Sequence, residues 1–205
     1  MKFFVVFVIC LASPFTCLAQ ELDMVEDFFN NLTTMQANFV QTSPDGKIAR
    51  GVLLMKRPDK ILLEYDVSLP ITVFVNKGIV TYVDRKLEQV STLPARKTIA
   101  SLLTKKKFSF DDGDVTVNEV KVVDGGVVVS FEKTDKADEG EFTMFFKITP
   151  GKTVEPTRIQ VKSTSGVNAG VTKIDFTSVK YGVAIPDDRF EIEVKVKTNI
   201  PAKLK

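Results

Sequence analysis

Two hydrophobic periods follow one another along the chain. Over residues 21–35, apolar side chains recur at steps of three and four, at Leu22, Val25, Phe28, Phe29, Leu32 and Met35. This spacing places them on one face of an amphipathic helix. From residue 36 the period becomes two, which is typical of strands that bury one face. The pattern therefore predicts a helix over 21–35 followed by a mainly β chain.

Short strands account for most of the remaining sequence. They are predicted over 36–43, 47–57, 60–67, 71–76, 79–84, 86–92, 114–123, 126–133, 140–148, 156–164, 170–180 and 189–197. A short amphipathic helix over 98–103 interrupts them, with Ile99, Leu102 and Leu103 on its apolar side. Strands at this spacing indicate an antiparallel sheet rather than βαβ units. A sheet of this length usually curls or closes. We therefore expect an α+β, mainly β fold: one long antiparallel sheet with short helices.

The segment Gly51–Pro58 defines the two faces of one predicted strand. Leu53, Met55 and Arg57 point one way, while Leu54 and Lys56 point the other way. With the alternation kept in register, further residues belong to the first face, namely Ile61, Leu63, Tyr65, Phe142 and Met144. This apolar face can line a solid core or a cavity, and periodicity does not separate the two. Arg57 lies at its rim, where a guanidinium must find a hydrogen-bond acceptor. A salt bridge or a snorkelling side chain is the simplest account.

Composition narrows the possible chemistry. The chain has 28 basic and 26 acidic residues, so no basic excess indicates a nucleic-acid partner. It has no histidine, and its two cysteines both precede residue 20. Those facts argue against most acid–base, triad and zinc chemistry. The Asp111–Asp114 cluster is more typical of a turn than of a metal site. We expect no catalytic residue, no metal and no cofactor.

The first residues have the features of a secretory signal. Lys2 is followed by an apolar stretch over 3–12 and by the small-residue site Cys17-Leu18-Ala19. We expect a signal peptide over 1–19 and a single domain over 20–205, exported and monomeric. An alternative is a lipoprotein acylated at Cys17. The residues before Cys17 fit a lipoprotein signal poorly.

An ordered series of short motifs resembles the LolA-type family of periplasmic carriers of outer-membrane lipoproteins. The resemblance is clearest over residues 36–104. It rests on Phe39-Val40-Gln41, the Gly51–Pro58 strand with its Lys-Arg-Pro end, Glu64-Tyr65-Asp66, Val75-Asn76-Lys77-Gly78, Tyr82-Val83-Asp84 and Leu87-Glu88-Gln89-Val90. In some members of the family, an aromatic residue is common in the strand after Arg-Pro. This chain has Ile61-Leu62-Leu63 there instead.

The resemblance implies a fold, a function and partners. The fold is a curved, open half-barrel sheet covered by helices, which form a lid over an apolar cavity. The cavity binds the acyl chains of lipoproteins, and Arg57 matches the arginine that bonds the covering helices and holds the lid closed. The protein would carry acylated lipoproteins in the periplasm, from an inner-membrane ABC transporter to an outer-membrane receptor.

Three other readings stay open at this level. The chain could be an outer-membrane-anchored acceptor of the same fold, which an acyl group on Cys17 would reveal. It could be a periplasmic binding protein for another hydrophobic ligand, or an interaction module with a solid core. An enzyme is the least favoured class, because the sequence lacks histidine and offers no nucleophile motif.

Overall fold

The computed structural model describes residues 15–134, 140–151, 153–164 and 169–191. Helix α1 spans Phe15–Asn31, helix α2 spans Ala100–Leu103, and 3₁₀ helices span Ala95–Lys97 and Asp187–Phe190. The strands in these residues are β1 Thr34–Thr42, β2 Ile48–Lys56, β3 Lys60–Tyr65, β4 Ile71–Asn76, β5 Ile79–Asp84, β6 Gln89–Pro94, β7 Val115–Val123, β8 Gly126–Lys133, β9 Glu141–Thr149, β10 Thr153–Ser163 and β11 Gly170–Tyr181.

Hydrogen bonding joins the strands in the order β6-β5-β4-β3-β2-β1-β11-β10-β9-β8-β7. The sheet is open, because β6 and β7 are terminal strands and do not pair with each other. The paired neighbours run antiparallel, as their registers require. The predicted mainly β class and the open antiparallel sheet are confirmed. The curvature, the lid and the cavity stay predictions.

The chain divides into two compact units. The first contains α1, Gln41–Lys47 and Lys107–Phe176, and the second contains Leu32–Val40, Ile48–Lys106 and the chain from Thr177 onward. In the first unit, β8 and β9 pair so that alternate apolar residues share one buried face, and α1 packs on this unit's strands. In the second unit, β2 to β6 form successive antiparallel pairs.

Helix α1 differs from its prediction at both ends. It begins at Phe15, so its first five residues fall within the predicted signal peptide, and no acidic residue lies in its first turn. It ends at Asn31, four residues early, and Met35 is buried in β1. The cause is tertiary: the Thr34 carbonyl accepts from the Gly182 N–H at 3.2 Å, and the Thr34 hydroxyl donates to Val183 O at 2.9 Å. These bonds keep Thr34 in a strand, and Thr34 is a β-branched residue with low helix preference.

The strand predicted over 189–197 is wrong in the part that the structure describes. Asp187–Phe190 forms a 3₁₀ helix that begins after Pro186. Phe190 is 1 % exposed and packs in the core instead of alternating between two faces. A proline fixes φ for a helical start, and the aromatic ring supplies the burial that holds the turn. Residues 192–197 lie outside the described residues.

Candidate functional site

Strands β2 to β5 present one continuous apolar face, which we call the Leu53 face. Residues directly opposite in an antiparallel pair share a face, and the pairs are Leu53 with Leu63, Met55 with Ile61, Ile61 with Val75, Leu63 with Val73, and Val75 with Val80. Leu53, Met55 and Ile61 are buried, while Leu63 and Tyr65 are half-buried. The five residues predicted for this face in β2 and β3 therefore do lie on one face.

A glycine creates an aromatic contact on this face. Gly51 pairs with Tyr65, and a Cβ on Gly51 would lie 2.7 Å from the Phe39 ring. With no side chain there, the Phe39 ring crosses the strand and meets Tyr65 edge to face, with ring centroids 5.1 Å apart. Burial raises the pKa of Tyr65 to about 12, so its phenol is neutral in ordinary buffers. The Leu53 face thus ends in an aromatic pair that the sequence pattern did not reveal.

The opposite side of the same strands, the Leu54 face, is covered by the chain after β11. Leu54, Leu62 and Phe74 form a core cluster with Ile185 and Phe190. Ion pairs hold the covering segment in place, and they join Asp187 to Lys56 at 2.7 Å, Asp187 to Lys60 at 2.8 Å, and Arg189 to Glu64 at 3.1 Å. A cavity of about 360 Å³ lies beside this segment, with Leu62, Phe74 and Val83 among its lining residues. The Leu54 face is therefore partly packed against the segment after β11 and partly open to this cavity.

Arg57 follows the last residue of β2 and joins the β2–β3 turn to the end of α2. Its Nη2 donates to the backbone carbonyl of Lys105. The Asp59 N–H donates to Thr104 O at 3.1 Å, and the Arg57 N–H donates to Thr33 O at 2.8 Å. The acceptor of this Arg57 bond lies two residues beyond the predicted segment 98–103. The last carbonyls of a helix lack partners within the helix, so a cation there is favourable. Partial burial lowers the pKa of the Arg57 guanidinium from its ordinary value.

Helix α2 is one turn long, and side chains of the local sequence stabilise it. The Ala100 N–H donates to the Thr98 hydroxyl at 3.2 Å, which supplies an acceptor at the helix start. The Thr104 hydroxyl donates back to Ala100 O at 2.7 Å. Ile99 is half-buried, and Leu102 and Leu103 are buried. The predicted apolar side of this helix is therefore the side that leaves water.

The two predicted site residues from later strands belong to the first unit. Phe142 and Met144 are buried in β9, opposite Phe131 and Val129 of β8. Phe142 is the last ring in a series of aromatic contacts, with centroid distances of 4.7 Å for Phe29–Phe108, 4.9 Å for Phe108–Phe110, 5.7 Å for Phe110–Phe131 and 6.0 Å for Phe131–Phe142. Phe142 and Met144 therefore form part of a packed aromatic core in their own unit, and their assignment to a lipid cavity stays a prediction.

Polar bonds fix α1 to the segment that follows Lys107. Asn30 accepts from the Phe108 N–H at 2.8 Å and donates to Phe108 O at 2.9 Å. Glu26 accepts from the Phe110 N–H at 2.6 Å and from the Ser109 hydroxyl at 3.0 Å. The helical pattern over 21–35 singled out neither Glu26 nor Asn30. The partners are about 80 positions away, so no local signal could have paired them.

Two features of the described residues bear on the class of site. No helix in this part of the chain is long and apolar enough to cross a membrane. Three or more potential metal ligands do not come together anywhere among the same residues. The Asp114 N–H donates to the Asp112 carboxylate at 3.1 Å, which is a side-chain turn of the kind predicted for 111–114.

A sequence model of one family, described as outer membrane lipoprotein carrier protein LolA, matches residues 30–193. A curated relative, the uncharacterized protein RP864 of Rickettsia prowazekii (strain Madrid E), is 26% identical over 151 residues, which is 71% of this chain and 70% of that protein.

Two solved structures are similar. The LolA superfamily protein NE2245 from Nitrosomonas europaea has a TM-score of 0.48 and 12% identity, over 85% of this chain and 97% of that one. MucB has a TM-score of 0.46 and 13% identity, over 87% of this chain and 64% of that one.

Proposed function

Because this chain belongs to the family of LolA-type outer membrane lipoprotein carriers, we propose that it is a periplasmic chaperone that binds the acyl chains of lipoproteins on the Leu53 face. Proteins of this family are typically periplasmic carriers rather than enzymes. The observation that carries the proposal is the Leu53 face itself: an apolar face on β2 and β3, with Arg57 just after β2 bonded to the Lys105 carbonyl beyond the one-turn helix α2.

The energetics of acyl binding support an apolar site of this kind. Each methylene that leaves water contributes about 0.8 kcal/mol, so a lipoprotein with several acyl chains needs a large apolar shield. Leu53, Met55 and Ile61 are buried side by side on neighbouring strands and would line such a site in the open form. Tyr65 and Phe39 add flat aromatic area at one end. Aliphatic and aromatic side chains together can adapt to chains of different length.

Release requires a cover that opens at small cost, and α2 fits that role. A single turn is not stable alone, because helix formation has a costly nucleus. Its position depends on burial of Leu102 and Leu103 and on bonds such as that from Arg57 to Lys105. In this proposal Arg57 closes the empty form and yields when acyl chains enter. The transporter and the receptor of the proposed route are an inner-membrane lipoprotein-releasing ABC transporter and an outer-membrane lipoprotein receptor.

The test compares acylated and unacylated cargo. The purified protein is mixed with a detergent-solubilised triacylated lipoprotein, the detergent is removed, and the soluble complex is separated by size. We expect a soluble one-to-one complex with the acylated form and none with the same lipoprotein lacking its acyl chains. Equal binding of both forms would contradict acyl recognition. Binding of a free fatty acid or another apolar compound instead would favour a carrier of a different hydrophobic ligand.

The mature N-terminus separates the carrier from an anchored acceptor of the same fold. The proposed signal peptide over 1–19 leaves Gln20 as the first residue. Mass spectrometry of the protein purified from the periplasm should find an unmodified N-terminus at or near Gln20. An acyl group on Cys17, with the protein in the membrane fraction, would identify an anchored acceptor instead.

A further inference from the structure

The outer edge of β6 lacks the features that usually protect a sheet edge. Strand β6 spans Gln89–Pro94 and is terminal in the strand order, so no described strand pairs with its outer side. Gln89 to Thr92 are all exposed, and Val90 is 45 % exposed. No charged residue interrupts the strand, proline occurs only at its last position, and its pairing with β5 has no register shift. An edge of this kind readily accepts another strand.

The other terminal strand provides a contrast within the same chain. Strand β7 carries an exposed Glu119–Lys121 ion pair at 2.7 Å in its middle. Its pairing with β8 shifts register between Val117 and Glu119, which is a bulge. Charges and bulges are two of the devices that natural proteins use to block edge pairing. Among the described residues, these devices occur on β7 and not on β6.

Charge at the two ends of β6 selects the kind of strand that fits. Arg85 and Lys86 precede the strand, Arg96 and Lys97 follow it, and all four are exposed. Glu88 is the one acidic residue between Arg85 and Lys97. We propose that the outer edge of β6 docks an extended acidic segment of a partner protein, which adds to the sheet as a further strand. Main-chain hydrogen bonds would supply affinity and the basic ends would supply selectivity.

Charge also argues against two other occupants. A second copy of this chain, paired antiparallel through β6, would bring Arg85 and Lys86 against Arg96 and Lys97, so like charges would meet at both ends. Residues 192–205 of the same chain contain four lysines and one glutamate, so this segment is basic as well. An acidic segment from elsewhere has the complementary charge. This inference does not depend on what the Leu53 face binds.

A synthetic peptide tests the proposal directly. The probe has four alternating valine and threonine residues flanked by two glutamates at each end, and the control peptide carries lysines in place of the glutamates. Hydrogen exchange of the full chain should slow at Gln89–Leu93 with the acidic peptide and not with the lysine peptide. Protection that appears at β7 instead, or with the lysine peptide equally, would overturn the proposal.

Two proline variants separate docking from folding. Along a strand, successive backbone N–H groups alternate between the two edges. Of Ser91→Pro and Thr92→Pro, one should therefore abolish peptide binding with the melting temperature unchanged, and the other should remove a β5 ladder bond. Binding that survives in both variants would refute the edge site.

Charge variants complete the test. Arg85→Glu combined with Lys86→Glu should weaken binding of the acidic peptide at least tenfold and allow the lysine peptide to bind. Lys121→Glu, on the protected β7 edge, is the matched control and should change nothing. Unaltered binding in the double variant, or concentration-dependent self-association of the wild type in sedimentation, would exclude an acidic partner in favour of an uncharged contact or a second copy.

Discussion

Helix α1 of the first unit and helix α2 of the second are held by different means. Helix α1 has 17 residues, buries Val25 and Phe29, and exchanges four polar bonds with residues 108–110. Helix α2 has four residues, and bonds from Arg57 and Asp59 reach the carbonyls just past its end. A one-turn helix held by few bonds is typical of a segment that opens locally at a lower free energy than global unfolding, and such opening of α2 stays a prediction.

The apolar side chains of the two units also differ in residue type and burial. The first unit packs phenylalanine rings from α1, the 108–110 segment, β8 and β9 against one another. The Leu53 face is mostly aliphatic, and Leu63 and Tyr65 on it are only half-buried. Closely packed rings resist change, because any lost ring leaves a large cavity. Leu53, Met55 and Ile61 on the same face are buried, so only part of this face is open to exchange of apolar neighbours. The contrast is consistent with a stabilising role for the aromatic core, and ligand exchange at the Leu53 face stays a prediction.

The largest expected effect is on the aromatic core. Phe131→Ala removes a fully buried ring that contacts Phe110 and Phe142. We expect the free energy of unfolding to fall by about 3–5 kcal/mol, measured by urea denaturation. Val122→Ala, at a site 55 % exposed, is the control in the same unit and should change stability by less than about 0.5 kcal/mol. A loss below about 1 kcal/mol for Phe131→Ala would mean that this region is loosely packed, and the contrast between the units would fail.

The second prediction concerns Leu63 on the Leu53 face. Leu63→Glu places a charge among apolar neighbours, so an acyl chain would have to desolvate it. We expect lipoprotein binding to weaken by about tenfold or more, which corresponds to at least about 1.4 kcal/mol. The thermal transition should stay cooperative, because Leu63 is half-buried and its carboxylate can reach water.

The control for this variant is Val67→Glu, which adds the same charge at a position 99 % exposed and should bind normally. If Leu63→Glu instead abolishes folding, the Leu53 face is a solid core. Normal binding by a folded Leu63→Glu protein would place the acyl site elsewhere.

The third prediction concerns the bond between Arg57 and Lys105. Arg57→Leu removes a charge-assisted hydrogen bond of about 1.5–3 kcal/mol to the end of α2. If α2 opens locally, its amides should exchange about ten to a hundred times faster, while those of α1 stay unchanged. Transfer of bound lipoprotein to a receptor should be impaired, although the protein folds. Hydrogen exchange followed by mass spectrometry covers both helices in one experiment.

Arg57→Lys sharpens the same test. Lysine keeps the charge but lacks the planar group with several donors, so it should restore only part of the protection. Full protection and normal transfer in Arg57→Leu would show that burial of Leu102 and Leu103 alone holds α2.

The sequence predicts those features of the structure that depend on residues close together in the chain, and it misses features that depend on distant residues. Strands 71–76, 79–84 and 126–133 match their predictions at both ends, because alternation and turn residues are local signals. The two faces of β2 were also predicted correctly from alternation alone. The end of α1 was wrong because pairing with residues 182–183 decides it. The contact of Phe39 with Tyr65 across Gly51 likewise depends on which strands become neighbours.

For the candidate site, too, the sequence predicted what depends on local alternation and missed what depends on distant contacts. Periodicity grouped Leu53, Met55, Ile61 and Leu63, and the registers of β2 and β3 place them together. It also grouped Phe142 and Met144 with them, and these two residues belong to the first unit, so their place in one acyl site with the Leu53 face stays a prediction. The covering of the Leu54 face by Ile185 and Phe190 was missed, because the segment after β11 alternates like a strand but folds as a 3₁₀ helix.

The smallest effect is expected where the chain after β11 is pinned to the Leu54 face. Hydrogen bonds from Lys56 and Lys60 lower the pKa of Asp187 to about 2, from an ordinary value of 3.8. A lowered pKa means that the carboxylate stabilises the folded state above its ordinary pKa and loses this contribution as the pH falls from about 4 toward 2. Because Asp187 is exposed, water screens the pairs and the change in global stability should be small.

Local hydrogen exchange at residues 185–190 is therefore the right measurement. In the wild type, protection there should fall between pH 4 and pH 2 after correction for intrinsic rates. In Asp187→Asn it should be lower at neutral pH and should lack this acid-dependent step, whereas a step that persists in the variant would assign the acid sensitivity to another group.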